Sequence, residues 1–532
     1  MCVFVVHAAV FGSWLMDDAG ISFAYARNLA SGHGLVSQPG ASPVEGYSNF
    51  LWVLVMAVFF RLGLFHIFWT PKIAAGILTA GSFLVVTDTL RRATAWGPAI
   101  AACALTLVAL QPGFVIWSIS GLENPLYVFL LCLLMAAAFE LLVADSPSRT
   151  TIVFSGLLTG GIAATRPDGM IYLAVVPVIA TARAWMTRSL RPSLDAIALY
   201  SAVTAVLLGS LLGFRWWYFH DVLPNTYYMK GAGHMGSMLL PDAIPKIRAL
   251  AESVAGEGRA KALVIVVLGG TAFLLRRHFQ PIHAVLALFA GLSWLSYVLL
   301  PQDFMGEYRF ATPFFLFFYT YVAALAWSLC TNVSAPLAAK RLTFAIVIGL
   351  LVGVTLDQAA KRSEQFAAQP ATSLALVAEY FGDRYNRLAD ALGLDSASLL
   401  TVNQGGALLA SKLAVVDLGG LCDRTIARTI GRDQQAFYDY VFDEVRPTFI
   451  EVHTGWIRTA DFDADPRFQR DYVAIKQRIV NENGMSRVES ADYVRRDAVA
   501  GPVERLTSIL GPDSPCCHPR RPVRSYWNYL GG

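Results

Sequence analysis

Two adjacent carboxylates, Asp17 and Asp18, follow the first apolar run and open the stretch DDAGISFAYARNLASGHGLVSQPGASPVEGYSNFLW. Ionised groups resist leaving water, so acids placed where a membrane helix meets water are costly unless they are used. A carboxylate in this position can take a proton from a hydroxyl group. Acids also stabilise a helix start, which would account for one of the pair more readily than for both. The pair is therefore the first candidate for a catalytic base, and either residue could act.

A second candidate is Arg166, in the segment ATRPDG between two short apolar runs. Pro167 and Gly169 would interrupt a helix there and free backbone N–H groups. A guanidinium binds phosphate through two parallel hydrogen bonds, so Arg166 suits an oxyanion. The alternative is a structural ion pair with Asp168 or Glu123.

Two further loops carry polar groups beside apolar segments. In RWWYFHDVLPNTYYMK, the tryptophans are typical interface anchors, whereas Asn225, Tyr228 and Lys230 could line a sugar or phosphate site. In PQDFMGEYRF, Arg309 stands at the head of an apolar run and could bind a ligand or pair with Glu307.

The first polar stretch holds two more candidates. His33 lies between two glycines and is a better candidate for a phosphate or sugar contact than a histidine in a core. Glu45 precedes the return to the membrane.

The composition places these residues in a membrane protein. Of 532 residues, 55% are hydrophobic and only 15% are charged, against about 25% charged in soluble domains. Mean hydropathy is +0.50. The net charge of +4 is small and dispersed, so nothing in it indicates a nucleic-acid partner, and none is expected. The seven cysteines show no metal-binding spacing and no disulfide framework.

The apolar runs predict a polytopic α-helical protein of about eleven spans over 1–356, with 17–64 as a first outer loop that carries juxtamembrane helices. If 50–64 does not cross the membrane, the basic loops alternate and mark the cytoplasmic side. The acidic loops and the charged segment after Asp357 then share the outer face. The first run, 1–16, is too short to span comfortably, so we expect the true start codon to lie upstream.

A soluble α/β domain is expected over 357–512, followed by a Pro/Arg-rich tail over 513–532. LLTVN, LAVVDL and FIEVH have the composition of strands, and 371–392 and 434–445 are helical candidates. Recognition of an acceptor glycan is the favoured role of this domain, with a scaffold role as the alternative.

The ordered segments DDAGISFAYARNLASGHG, VEGYSNFLW, SGLENPLY, ATRPDG, LPNTYYMK and DFMGEYRFATP resemble those of GT-C fold membrane glycosyltransferases, nearest the bacterial terminal arabinofuranosyltransferase type. The likeness covers most of 17–315, and 399–427 is similar to the soluble domain of that family. PQDFMGEYRF departs from the family, in which a Gly-Gly-Asp-Trp-like start is expected.

The resemblance implies an inverting transfer of a sugar, arabinofuranose-like, from a polyprenyl-phosphate donor to a cell-envelope glycan or glycolipid. The multi-pass protein would lie in the bacterial inner membrane, with its active site and α/β domain on the periplasmic face. By position, Asp17 or Asp18 would be catalytic, and the donor site would hold Glu123, Arg166, Asn225, Lys230 and Arg309. The need for a divalent cation, Mg or Mn, is left open. The alternatives are a flippase or transporter for lipid-linked sugars and a non-catalytic assembly protein.

Overall fold

The long apolar runs form helices, as their length and composition predict. The computed structural model describes residues 1–230, 243–256, 260–277, 280–301, 305–332, 336–482 and 485–499. The described residues fall into two compact units, one within 1–12, 71–213 and 234–371, and the other within 13–70, 214–233 and 372–532. The acidic loop therefore clusters with the C-terminal α/β segment. The tail over 513–532 lies outside the described residues.

The first unit is built from apolar helices. They are Cys2–Val10, Trp69–Ala93, Gly97–Leu110, Pro112–Ser118, Asn124–Val143, Arg149–Thr165, Val175–Thr187, Arg191–Phe219, Ala243–Ala255, Ala260–Arg277, Pro281–Leu299, Thr312–Thr331 and Leu337–Ala368, with 3-10 turns at Pro167–Ala174 and Arg309–Ala311. Trp69–Ala93 and Arg191–Phe219 continue across the boundary between the units.

Seven helical segments among the described residues are long and apolar enough to cross a membrane. Counting Gly97–Leu110 and Pro112–Ser118, which meet at 77°, as one broken span gives eight. The eleven expected spans thus remain a prediction. The run 1–16 forms a helix of only nine residues, and 151–165 lies in one of 17, short of the roughly 20 that a span needs. Phe50–Arg61 is likewise a short apolar helix, as the alternation of loop charge requires.

The second unit contains a five-stranded mixed sheet. Its strands are β1 (Ser398–Thr401), β2 (Ala414–Asp417), β3 (Phe449–His453), β4 (Tyr472–Glu482) and β5 (Met485–Arg495), in the order β2-β1-β3-β5-β4. The first three strands are parallel, whereas β5 is antiparallel to both β3 and β4. β1, β2 and β3 confirm the three predicted strands, and the sequence reading missed the β4–β5 hairpin.

The other elements of this unit are helices and helical turns. They are Asp17–Ala30, Phe50–Arg61, Asn225–Lys230, Leu374–Val377, Arg384–Ala391, Gly405–Ala410, Arg424–Thr429, Gln434–Asp439, Gly455–Ala460 and Pro466–Asp471, with π-helical turns at Ala378–Asp383 and Tyr440–Val445 and 3-10 turns at Phe462–Ala464 and Arg496–Ala498. One face of the sheet packs Leu400, Ile450 and Val452 into a buried cluster, and the other packs Leu399, Phe449 and Val494. This alternation is that of strands buried on both faces.

Candidate functional site

Asp17 is held from its backbone and from its side chain at the start of helix Asp17–Ala30. Its backbone N–H donates to the carbonyl oxygen of Thr372 at 3.1 Å. Its two carboxylate oxygens accept hydrogen bonds from the N–H groups of Gly405, at 3.2 Å, and Gly406, at 2.7 Å. The residue is only 6% exposed, so its position is fixed inside the second unit.

Glycine is required where helix Asp17–Ala30 meets the turn after β1. A Cβ atom on Gly405 would lie 1.8 Å from the carbonyl oxygen of Asp17. A Cβ atom on Gly20 would lie 2.6 Å from the carbonyl carbon of Gly405. The two backbones approach each other more closely than any side chain would permit.

The two acids of the pair have different surroundings. Burial raises the pKa of Asp17 to about 7, the N–H groups of Gly406 and Gly405 oppose that rise, and the neighbouring charge of Asp18 adds to it. Asp18 is only partly buried. The pair therefore divides into a fixed, buried carboxyl group and a more accessible one.

Glu45 forms a buried ion pair with Arg215 in the same unit. Nε of Arg215 lies 2.8 Å from one carboxylate oxygen, and Nη2 donates to the other at 3.0 Å. Burial raises the pKa of Glu45, and the positive charge of Arg215 opposes that rise. The two side chains neutralise each other, so Glu45 is committed to a structural contact.

The other candidates of this unit are dispersed. The side-chain amide of Asn225 donates to the carbonyl oxygens of Gly420, Leu421 and Asp423 at 2.7 to 3.1 Å. The hydroxyl of Tyr228 donates to Asp221 at 2.7 Å. His33 is exposed in the turn after helix Asp17–Ala30. Lys230 ends the helix Asn225–Lys230, and its side chain lies outside the described residues.

In the first unit, Arg166 lies at the helix break that ATRPDG predicts, between helix Arg149–Thr165 and the 3-10 turn Pro167–Ala174. Its Nε and Nη2 donate to the two oxygens of Asp168 at 3.0 and 3.3 Å, and its Nη1 donates to Glu123 at 3.2 Å. Nη2 of Arg309 lies 3.5 Å from the same oxygen of Glu123. The structure thus brings Glu123, Arg166 and Arg309 together, with the charges of two arginines and two acids balanced.

A cavity of about 320 Å³ adjoins this cluster and shares Arg309 with it. Its lining includes three cations, Lys246, Arg309 and Arg362, and one acid, Glu307. Arg362 pairs with Glu307 at 3.1 Å, and Nζ of Lys246 donates to three backbone carbonyl oxygens, of Tyr297, Val298 and Leu300. Basic side chains therefore outnumber acidic ones in the lining of this basic cavity, which favours an anion.

The rim of the basic cavity has an uncommon backbone. Gly306, Glu307 and Tyr308 have φ angles of 72°, 46° and 54° in succession. Side chains rarely adopt this left-handed region, and such residues concentrate at ligand-binding sites. The indole N–H of Trp117 donates to the carbonyl oxygen of Glu307 at 3.0 Å and holds the turn in place.

Sequence reasoning missed several members of these sites. Lys246 and Arg362 lie in helices, Ala243–Ala255 and Leu337–Ala368, whose other charged residues are exposed or partly exposed. Gly405 and Gly406 looked like turn residues, and nothing in the sequence indicates that their N–H groups meet an acid 388 residues away. For the basic cavity, the available sequence signal was the glycine of GEY (306–308), because glycine favours the left-handed backbone found there.

A metal site needs several oxygen, nitrogen or sulfur ligands close together. Within the described part of the chain, no group of three or more His, Cys, Asp or Glu side chains is placed to hold a metal ion. The carboxylate of Asp17, which could have contributed, accepts two backbone N–H groups instead.

No protein-family model matches the sequence, and no curated protein matches it. Solved structures do match. The chain is similar to ArnT from Cupriavidus metallidurans in the apo state, with a TM-score of 0.53, 14% identity, and coverage of 94% of this chain and 97% of that one. ArnT bound to undecaprenyl phosphate matches with a TM-score of 0.52 and 13% identity, at the same coverage.

A second similar protein is the archaeal oligosaccharyltransferase AglB from Archaeoglobus fulgidus, in complex with an inhibitory peptide and a dolichol-phosphate. Its TM-score is 0.51 at 12% identity, over 92% of this chain and 74% of that one. At these identities the likeness shows the fold alone, which is the GT-C fold of membrane glycosyltransferases. The fold that the sequence predicted is confirmed at this level.

Proposed function

We propose that the protein is an inverting glycosyltransferase of the bacterial inner membrane. It moves a sugar, arabinofuranose-like, from a polyprenyl-phosphate donor to a cell-envelope glycan or glycolipid on the outer face. The observation that carries this proposal is the division of the acidic pair into a fixed Asp17 and a more accessible Asp18. Support for the donor class comes from ArnT and AglB, whose structures hold undecaprenyl phosphate and dolichol-phosphate.

Asp18 is the proposed general base. Adjacent residues of a helix point about 100° apart. With Asp17 directed at the N–H groups of Gly405 and Gly406, Asp18 therefore points in another direction. The carboxylate takes the proton of an acceptor hydroxyl while the oxygen of that hydroxyl attacks the anomeric carbon of the donor sugar. The bond between that carbon and the phosphate oxygen breaks, and the phosphate leaves with the electron pair. A single displacement inverts the configuration of the sugar.

The proposed phosphate-binding groups are the cations of the basic cavity. Arg309 and Arg362 can donate paired hydrogen bonds, and Lys246 adds charge. Stabilising the negative charge of a departing phosphate is a main source of rate enhancement. Arg166 donates its hydrogen bonds to Asp168 and Glu123, so we assign it a positioning role. Glu123 connects it to Arg309.

The first test is sugar transfer by purified protein in lipid, from a panel of polyprenyl-phosphate sugars to a mixture of glycan acceptors, with and without EDTA. Asp18→Asn should lower transfer by about 10²–10⁴-fold, because it removes the base. Loss of transfer with EDTA would reveal a cation requirement.

Asp145→Asn is the matched control, because Asp145 is an acid at the end of a membrane helix and outside both candidate sites. Full transfer by Asp18→Asn would refute the assignment of the base. No transfer from any lipid-linked donor by folded wild-type protein would favour a transport or assembly role.

A further inference from the structure

The carboxyl ends of β1 and β3 form a topological switch point in the second unit. The chain passes from β1 to β2 on one side and then to β3 on the other, and all three strands are parallel. In open α/β sheets, ligands bind in the crevice outside the strand ends at such a point. The turn after β1 contributes to both places, because Gly405 and Gly406 donate to Asp17 and Asn403, two residues earlier, donates to Glu451.

The side chains at this edge form a connected polar cluster. Glu451, 3% exposed, accepts hydrogen bonds from the hydroxyl of Thr401 at 2.7 Å and the amide of Asn403 at 3.5 Å. Its other oxygen lies 2.6 Å from Nδ1 of His453. That contact directs the second ring nitrogen of His453 away from the acid, and both His453 and Asn403 are partly exposed.

This arrangement is costly for the fold. Glu451 and Asp492 are directly opposite each other on β3 and β5, and both are buried. Like charges opposite each other destabilise a sheet, and a buried ionic network is seldom more stable than an apolar replacement. Asp492 is compensated by Arg384 at 3.1 Å and by the hydroxyl of Tyr385 at 2.6 Å. The sheet thus maintains two buried acids where apolar residues would fold at least as well.

An aromatic ring stands beside the cluster. The π-helical turn Ala378–Asp383 carries Phe381, whose ring centre lies 6.2 Å from that of His453 at an angle of 31°. Such turns are rare and are found frequently at functional sites. Phe381 is partly exposed, so one side of its ring remains accessible.

The backbone after β3 is strained. Thr454 has φ 50° and ψ −131°, between His453 and the helix Gly455–Ala460. A positive φ is a genuine outlier for a β-branched residue and marks a strained backbone. A strained strand-to-helix turn raises its side chain above the edge of the sheet. Thr454 is exposed, and glycine would fit this backbone without strain.

We infer that Asn403, Glu451, His453, Thr454 and Phe381 form a saccharide-binding subsite. This inference rests on the proposed function, and its ligand is one sugar residue of the acceptor glycan. The cluster offers what a polyhydroxylated ring requires, namely a ring nitrogen of His453 and an amide of Asn403, both held by the buried Glu451, with a hydroxyl in Thr454 and an apolar face in Phe381.

The test is direct binding to the full-length protein in lipid nanodiscs, without any donor, by saturation-transfer NMR. The probes are tetrasaccharides of arabinofuranose, mannose and glucose. Wild-type protein should bind at least one of them. Thr454→Gly should raise the midpoint temperature of unfolding, because strain is relieved, and should weaken binding at least tenfold. His453→Ala should also weaken binding at least tenfold.

Thr459→Ala is the matched control, because the Thr459 hydroxyl donates to its own helix at Gly455. It should bind as the wild type does. The subsite is refuted if no tetrasaccharide binds, or if Thr454→Gly and His453→Ala bind with wild-type affinity. The binding assay contains no donor, so it is independent of the transfer assay. Wild-type protein that binds a tetrasaccharide but transfers no sugar would refute the proposed function and leave the subsite intact. Wild-type protein that transfers sugar, together with unchanged tetrasaccharide binding in both variants, would refute the subsite alone.

Discussion

At the residue scale, Asp17 and Asp18 show how one hydrogen-bonding environment separates two identical side chains. The N–H groups of Gly405 and Gly406 immobilise Asp17 and bury it. Asp18, on the next position of the same helix, lies partly exposed. In the proposed mechanism the base must reach its substrate while its neighbour fixes the start of the helix, and these two requirements fall on different residues of the pair.

The pKa of Asp17 gives a prediction about stability. Because burial raises it from 3.8 to about 7, the folded protein binds more protons than the unfolded chain between these values. The contribution of Asp17 to stability is therefore complete below about pH 4 and is lost as pH rises through 7, by up to about 4 kcal/mol. The midpoint temperature of unfolding should fall between pH 5 and 8.

Asp17→Asn isolates this effect, because Asn does not titrate. The variant should be less stable at pH 5 and should show a smaller fall with pH. The remaining fall includes Asp417, whose pKa burial also raises to about 7. An identical pH dependence in Asp17→Asn and wild-type protein would contradict the raised pKa.

At the scale of elements, the contact between helix Asp17–Ala30 and the turn after β1 depends on the absence of a side chain. Gly405→Ala would place a methyl group 1.8 Å from the carbonyl oxygen of Asp17. The helix must move, so both the midpoint temperature of unfolding and sugar transfer should decrease. Thermal unfolding and the transfer assay measure the two effects.

Gly349→Ala is the control for this prediction. Gly349 lies within helix Leu337–Ala368, and nothing would lie within 4 Å of an added Cβ atom. Alanine favours a helix, so this variant should be as stable as the wild type or slightly more so. Equal behaviour of the two variants would show that the close approach at Gly405 is unimportant.

The elements also show which parts of the fold a sequence reveals. β1, β2 and β3 were predictable because each is a short apolar run bounded by turn residues, and Arg166 was found because Pro167 interrupts the helix. The β4–β5 hairpin was missed, since much of its described part is only partly buried and its charged residues obscure the alternation. The partners of Asp17 and the Glu451–Asp492 pair depend on distant contacts, which no local pattern encodes.

At the scale of the whole molecule, a lipid-phosphate ligand should stabilise the folded chain by mass action. Undecaprenyl phosphate should raise the midpoint temperature of unfolding of purified protein, because three basic side chains line the basic cavity. Arg362→Gln should reduce that rise, since it removes one cation and leaves Glu307 without its partner at 3.1 Å.

Arg387→Gln is the matched control. Arg387 forms an exposed ion pair with Asp383 in a surface helix, and its removal should leave the ligand-induced rise unchanged. An equal rise in Arg362→Gln and wild-type protein would exclude the basic cavity as the phosphate site.

The distance along the chain between Asp17 and its glycine partners has a consequence for biosynthesis. The two are separated by 388 residues, and at about 5–20 residues per second the ribosome needs roughly 20–80 s to make that segment. During this time the nascent protein already possesses its acidic pair but lacks the N–H groups that fix it. A chain terminated before Gly405 would keep its acidic pair but would lack the N–H groups that fix Asp17, so the pair takes its final arrangement only after the ribosome has passed Gly406.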